Sequence, residues 1–219
     1  MNDGGLTREQ FNIGIDKFVE KSKAFNENWC VCHVEGSPAE KYLVKRQMTA
    51  AIVGNKEKSE NLTDGTKEYL EDDILMFDNA VYSGHAELLK EILTFEYHVV
   101  YSSSYNVPVL YFNAWSQDGK LLSLSDIWQQ VSEIHQDFLN HDKWSFITQQ
   151  EHPLLHRPYF LIHPCHTAEL MKQILMNTSV HKRDATLYLT TWLSAVGSAV
   201  GIRLPLQFGM SENQNKIMT

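Results

Sequence analysis

Cys165 is the side chain with the clearest chemical potential, because it lies between two histidines at the end of an apolar run. The stretch is PYFLIHPCHTAELM, residues 158–171. A cysteine thiolate is a strong nucleophile and a soft metal ligand, while a free cysteine is also one of the most frequently buried residues. The sequence alone therefore leaves three uses for Cys165, as a nucleophile, a metal ligand or a core residue.

The residues around Cys165 predict a short apolar strand that leads into the start of a helix. Pro164 stiffens the approach, and Thr167 can cap a helix with an apolar face. The dipole of such a helix stabilises a thiolate at its start, and His163 and His166 add positive charge when they are protonated. This setting is typical of a reactive thiol.

Two other chemistries compete at this point. A metal site could draw on His163, Cys165 and His166, but one short run cannot easily aim all three side chains at one ion. A second cysteine pair is missing as well, so we expect no metal and no cofactor. A cysteine hydrolase needs a histidine base held by an asparagine or aspartate, which the ten histidines leave open.

Length and composition limit the class of protein. The 219 residues are 43% hydrophobic, which predicts one domain with a sizeable core. The net charge of −8 argues against binding to nucleic acid. Three cysteines without a disulfide pattern favour a reducing compartment, and no run approaches the ~18 apolar residues of a membrane span. We therefore expect a cytoplasmic protein without a transmembrane segment.

The order of elements predicts an α+β fold with an antiparallel sheet covered on one face. Thr7 and Gln10 have the spacing of a capping box for a first helix, and Asp184 begins a last helix that ends near Gly201. Strands are predicted at 30–35, 41–49, 95–102 and 107–115, a helix from 123 or 125 to 138, a loop at 144–158 and a short strand before Cys165.

One domain is predicted over residues 1–206, with a flexible insertion inside it and a polar tail after it. Residues 54–73 are acidic with few apolar side chains, so we interpret them as a flexible insertion and not as a domain boundary. Residues 207–219 read as a polar tail.

Three motifs near Cys165 occur together in one known family. The motifs are QEHP (150–153), PYF (158–160) and HPC (163–165), preceded by FEYHVVYSSSYNVPVLYF (95–112) and DGKLLSLSDIW (118–128). They resemble the E2-like conjugating enzymes of autophagy over about residues 95–206. The resemblance implies an E2-like (UBC-like) fold, with a four-stranded antiparallel meander, a catalytic segment and flanking helices.

The resemblance also implies a reaction and its partners. Cys165 would accept the ubiquitin-like autophagy-related protein twelve from the E1-like autophagy-related protein seven, as a thioester. The modifier would then pass to a lysine of the target, autophagy-related protein five. A non-catalytic adaptor with the same fold is the alternative from another class, and retention of Cys165 favours the enzyme.

One element of ordinary ubiquitin E2 enzymes is missing. Their His-Pro-Asn element places an asparagine near the oxyanion, whereas His152 and Pro153 are followed here by leucine. Hydrogen-bond donors upstream are the candidates for that role, with Gln150 favoured as the nearest to the His-Pro bend. These candidates are Thr148, Gln149 and Gln150. His163, Pro164 and His152 are interpreted as supporting residues that hold the loop.

Overall fold

The structure, a computed structural model, describes residues 4–52, 90–130, 147–176 and 184–209. The acidic segment 54–73, most of the helix predicted up to residue 138 and residues 210–219 lie outside these ranges. The helices are α1 Arg8–Ala24, α2 Leu124–Gln130, α3 Thr167–Met176 and α4 Ala185–Val196, and the strands are β1 Cys30–Val34, β2 Ser37–Ile52, β3 Lys90–Ser102, β4 Val107–Trp115, β5 Ile147–Glu151 and β6 Pro158–Ile162.

All described strands form one antiparallel sheet in the order β1-β2-β3-β4-β6-β5. The α+β class, the four-stranded meander β1 to β4 and the short strand before Cys165, which is β6, are confirmed, while β5 was not expected. The main difference lies at 144–158, which the sequence predicted as a loop. Residues 147–151 instead pair with β6 as an edge strand, because only Ile147 needs burial and the polar remainder can face solvent.

The helices cover one face of this sheet, called here the inner face. Tyr97 and Phe112 point from the central strands into a core that also contains Phe18 of α1 and Trp192 of α4. Helices α1 and α4 cross closely at Gly14, where an added Cβ would lie 2.8 Å from Leu189 Cδ1. Burial of the apolar side chains in this core, with large contributions from the aromatic ones, is the main driving force for the fold.

The helix ends follow the capping chemistry of the sequence. The predicted capping box of α1 is confirmed, since Thr7 and Gln10 exchange side-chain and backbone hydrogen bonds. The last helix begins beside Asp184 as predicted, and the Asp184 side chain caps it; a 3₁₀ turn then ends at Gly201, whose φ of +84° favours glycine. Thr167 begins α3 without acting as its cap, because a 3₁₀ turn at Pro164–His166 precedes it.

The start of the predicted polar tail is wrong by a few residues. Residues Leu206–Gly209 form a 3₁₀ turn in which Phe208 is buried. Its ring centroid lies 5.2 Å from that of Phe18 and 5.3 Å from that of Phe25, so this segment packs on α1. The packed part of the chain therefore reaches at least Gly209.

Candidate active site

Cys165 lies in the 3₁₀ turn that joins β6 to α3. Its side chain is exposed, whereas Pro164 beside it is buried. The Cys165 N–H donates to Nδ1 of His163 over 3.2 Å, so the imidazole caps this turn. The neutral form of His163 then carries its proton on Nε2. The arrangement presents the thiol to solvent on a short turn that is fixed on both sides.

The ring of His163 is held in turn by an aromatic neighbour. Tyr105, in the turn between β3 and β4, meets it edge-on, with ring centroids 6.0 Å apart and planes at 79°. Tyr105 is itself 45% exposed, so this contact lies at the surface beside the thiol. The sequence pointed to His163 but did not indicate Tyr105, which is adjacent only through the β3–β4 turn.

The three candidate oxyanion donors all lie on β5, at different distances from Cys165. The register pairs Thr148 with Leu161, Gln149 with Phe160 and Gln150 with Tyr159. Because Ile147 lies opposite Ile162, Thr148 is nearest to the Cys165 end of the hairpin. At ~3.3 Å per residue, Gln150 lies about 10 Å farther along the strand than Ile147.

Gln150 was favoured as oxyanion donor because it is nearest to the His-Pro bend, and this reason does not hold. The His152-Pro153 bend is at the opposite end of the β5–β6 hairpin from Cys165, so nearness to the bend means distance from the thiol. Gln149 and Gln150 are exposed, while Thr148 is half-buried. The Oγ1 of Thr148 is buried and lacks a hydrogen-bond partner among the described residues, which leaves its donor capacity free.

His152 is fully buried at the bend, on the face of the sheet away from the helices, called here the outer face. Its Nδ1 accepts from the N–H groups of Leu154 and Leu155, both at 3.2 Å. Its Nε2 lies 3.1 Å from Nδ1 of His98 on β3. An acceptor at Nδ1 requires the proton at Nε2, which therefore donates to His98.

The chain of hydrogen bonds continues from His98 to Glu96. Nε2 of His98 lies 3.2 Å from Oε1 of Glu96, and the Tyr159 hydroxyl donates to the same oxygen over 2.9 Å. Arg46 donates to the other carboxylate oxygen. The hydrogen bond from His98, followed by those from Arg46 and Tyr159, lowers the pKa of Glu96 to about 2 against the opposing effect of burial. Burial lowers the pKa of His152 to about 4, assisted by the nearby charges of His98 and Arg157.

This outer-face chain of hydrogen bonds was not predicted from the sequence. A usable signal is present, since Glu96 and His98 alternate with the apolar residues of a central strand that is predicted to be buried. Buried polar groups require partners, so two such residues in one strand indicate a hydrogen-bonded network. The chain runs from His152 through His98 to Glu96, so it is built around the bend and not around Cys165.

Cys30 and Cys32 occupy the opposite side of the molecule. Both lie on the edge strand β1, where they line an outer-face cavity of about 550 Å³ together with Tyr42, Arg46 and Arg157. Four strand spacings of ~4.8 Å separate β1 from β6, or about 19 Å. All three cysteines are free. The structure therefore does not bring Cys30 or Cys32 near Cys165.

Two further observations concern alternative chemistries. Within the described ranges, no group of three or more His, Cys, Asp or Glu side chains could hold a metal ion. His163 directs Nδ1 at the Cys165 backbone, so this nitrogen cannot serve at the same time as the base of a cysteine hydrolase.

Among the described residues, no helix is long and apolar enough to span a membrane.

Comparison with known proteins identifies the family. The model of the family described as "Autophagocytosis associated protein, active-site domain" matches residues 10–207, which is most of the chain and includes Cys165. The chain belongs to this family. The match covers both the sheet and the segment that carries the candidate thiol.

Individual relatives of this family agree with one another in name. The ubiquitin-like-conjugating enzyme ATG10 of Homo sapiens is 46% identical over 126 residues, which are 58% of this chain and 57% of that protein. The ubiquitin-like-conjugating enzyme ATG10 of Arabidopsis thaliana is 33% identical over 218 residues, covering 94% of this chain and 96% of that protein. The predicted family, and the class of a ubiquitin-like-conjugating enzyme of autophagy, are confirmed.

The comparison with solved structures gives one match to report. It is described as the crystal structure of the autophagic E2, Atg10, and has a TM-score of 0.47 with 16% sequence identity. The comparison covers 90% of this chain and 98% of that chain.

Proposed function

We propose that Cys165 carries the ubiquitin-like autophagy-related protein twelve as a thioester and passes it to a lysine of autophagy-related protein five. The donor would be the E1-like autophagy-related protein seven, and the reaction would take place in the cytoplasm. The observation that supports this proposal most strongly is the exposed Cys165 thiol on a capped turn before α3, within the family's active-site domain.

The transfer requires two acyl exchanges at the same sulfur. In loading, the Cys165 thiolate attacks the carbonyl carbon of the E1 thioester, and the E1 thiolate leaves. In discharge, the neutral amine of the target lysine attacks the Cys165 thioester. The tetrahedral intermediate expels the Cys165 thiolate and loses one proton from nitrogen, which leaves an isopeptide bond. A thiolate is a good leaving group, so cysteine suits this carrier role better than serine does.

The intermediate bears a negative oxygen that needs a hydrogen-bond donor. We propose that one residue among Thr148, Gln149 and Gln150 supplies it. The register of β5 favours Thr148, because it is nearest to Cys165 and its buried Oγ1 has no partner among the described residues. The alternative donor is a backbone N–H at the start of α3.

Incubation of the chain with the activating enzyme, ATP and the modifier tests the carrier role. We expect a covalent adduct that reducing agents remove, its absence in Cys165→Ala, and a thiol-resistant ester in Cys165→Ser. Cys30→Ala is the matched control and should load normally, since Cys30 lies at the opposite edge of the sheet. An adduct that persists in Cys165→Ala refutes the assignment.

The same experiment separates the enzyme from the adaptor and from the hydrolase. Association without any thiol-sensitive adduct, measured by gel filtration with the modifier, supports the adaptor. If water releases the modifier from the thioester without lysine, and added lysine does not raise that rate, the result supports the hydrolase.

A further inference from the structure

The first described residues of the chain run directly beside the turn that carries Cys165. Residues 4–7, called here the N-terminal strap, lie between the β3–β4 turn and the start of α3. Gly4 and Leu6 in this strap are buried. None of the chemistry derived above uses the strap, although it touches the structures on both sides of the thiol.

On one side, the strap packs against α3 without room for a side chain. A Cβ added to Gly4 would lie 1.9 Å from the carbonyl oxygen of Ala168 and 3.0 Å from the backbone nitrogen of Lys172. Gly4 also has a φ of +83°, a region that favours glycine. Ala168 is only three residues after Cys165, so this contact fixes the helix turn that follows the thiol.

On the other side, the strap is hydrogen-bonded to the β3–β4 turn. The Leu6 N–H donates to the Asn106 carbonyl over 2.7 Å, and the Tyr101 hydroxyl lies 2.9 Å from the Leu6 carbonyl. The neighbouring residue Tyr105 holds the ring of His163, which caps the Cys165 N–H. A continuous set of contacts therefore joins the strap to the residues before the thiol.

A third contact anchors the strap to the core. The Tyr188 hydroxyl of α4 donates to the Gly4 carbonyl over 2.7 Å, and Tyr188 is buried. The strap is thus fixed to a rigid helix at one point, while its two flanks touch the segments before and after Cys165. This is the arrangement expected of an element that sets the position of a reactive group.

We propose that the N-terminal strap positions the Cys165 thioester for attack by lysine, with Gly4 and Tyr101 as its positioning residues. This proposal rests on the proposed function. Bimolecular attack on an acyl carbon needs near-ideal placement of the reacting atoms, and a misplacement of about 1 Å can lower the rate ~10²-fold. The described contacts of the strap are with the segments on either side of Cys165, so it acts through the placement of the turn.

The test compares two glycines that share a backbone conformation. Gly36, in the turn between β1 and β2, has a φ of +79° and no atom within 4 Å of an added Cβ. Gly4→Ala and Gly36→Ala therefore introduce the same backbone strain, while only Gly4→Ala forces a contact with Ala168. Both proteins are loaded with the modifier, and discharge to free lysine is followed in a single turnover at 15 °C.

We expect the maximal discharge rate of Gly4→Ala to fall at least tenfold relative to Gly36→Ala, with an unchanged lysine concentration at half-maximal rate. A purely structural role would lower the melting temperature without changing the rate of the loaded, folded protein. Equal discharge rates in the two folded variants overturn the proposal. If Gly4→Ala does not fold, Tyr101→Phe takes its place, and a wild-type discharge rate in that variant overturns it equally.

A second measurement separates failure of the strap from failure of the proposed function. A ¹³C-methylthio label is placed on Cys165 in a background in which Cys30 and Cys32 are alanine, and its chemical shift is recorded. We expect Gly4→Ala to move this signal and Gly36→Ala to leave it in place. If the wild-type chain forms no thioester, the proposed function fails. In that case the chemical shift of the label alone tests the positioning role of the strap. The same chemical shift in Gly4→Ala and Gly36→Ala would refute that role.

Discussion

The buried imidazole of His152 couples the stability of the fold to pH. Its Nδ1 already accepts two backbone N–H groups and its Nε2 donates to His98, so the neutral ring has every hydrogen bond it can make. A second proton would have to enter at Nδ1, against two donors and inside the protein. Burial of the ring, followed by the nearby charges of His98 and Arg157, lowers the pKa of His152 from 6.5 to about 4.

The magnitude follows from the linkage between proton binding and folding. Between pH 6.5 and pH 4 the unfolded chain binds a proton at this histidine that the folded chain does not, so the free energy of unfolding rises with pH in this window. A difference of about 2.5 pKa units at ~1.4 kcal/mol per unit amounts to roughly 3 kcal/mol. The contribution of neutral, buried His152 to the free energy of unfolding is therefore fully present above pH 6.5 and is lost as the pH falls towards 4.

Urea unfolding of the wild type and of His152→Gln, from pH 7.5 to pH 4.5, measures this contribution. We expect the variant to be the less stable protein at pH 7.5. The difference in unfolding free energy should shrink by roughly 2–3 kcal/mol by pH 4.5. Glu96 does not obscure the result, because its lowered pKa of about 2 places its own loss of stability below pH 4.5.

An exposed histidine supplies the control. His33→Gln, on β1, removes one imidazole from the surface and leaves the outer-face chain intact. A difference between wild type and His152→Gln that stays constant across the whole pH range would refute the reasoning. It would show that His152 contributes by packing and not by its suppressed protonation.

Three further predictions concern the site and the core. If Thr148 is the side-chain donor, the single-turnover discharge rate should fall ~10²–10³-fold in Thr148→Ala. The rates of Gln149→Ala and Gln150→Ala should then stay near wild type. Wild-type rates in all three variants would leave the backbone as the donor. Asp184→Ala should lower the free energy of unfolding by about 1 kcal/mol through loss of the α4 cap, with Asp184→Asn as a nearly neutral control, and equal stability of both would contradict the capping role. Tyr97→Phe leaves the buried Val200 carbonyl without its hydroxyl donor and should lower the free energy of unfolding, measured by calorimetry, by about 1–3 kcal/mol. An unchanged melting temperature would argue against that hydrogen bond.

Local signals in the sequence predicted the elements that depend on local chemistry. The capping box of Thr7 and Gln10, the start of the last helix near Asp184 and the two central strands were predicted because their patterns are determined by neighbours along the chain. The helix that follows Cys165 was predicted for the same reason. Cys165 stood out because its type, neighbours and position before a helix all agree.

The features that were not predicted depend on contacts across the sheet. One of them is the face of β2 that the helices cover. The apolar alternation of Tyr42 and Met48 lies on the outer face, where Met48 is 77% exposed. The inner face instead takes Lys45, whose amine pairs with Glu27 while its stem is buried. Such a lysine looks solvent-facing in a sequence. Strand β5 was missed because its polar residues carry no burial pattern beyond Ile147.

The position of β5 at the margin of the sheet also bears on self-association. An edge strand exposes unpaired N–H and C=O groups, which can template pairing with a strand of another chain and so start aggregation. Here the edge is only five residues long, and Gln149, Gln150 and Glu151 are exposed along it. Pro153 lies two residues after the end of β5 and has no N–H to extend a ladder. A second copy docking on this edge would therefore gain few hydrogen bonds and little apolar contact, so β5 can form the margin of the sheet without nucleating intermolecular sheets.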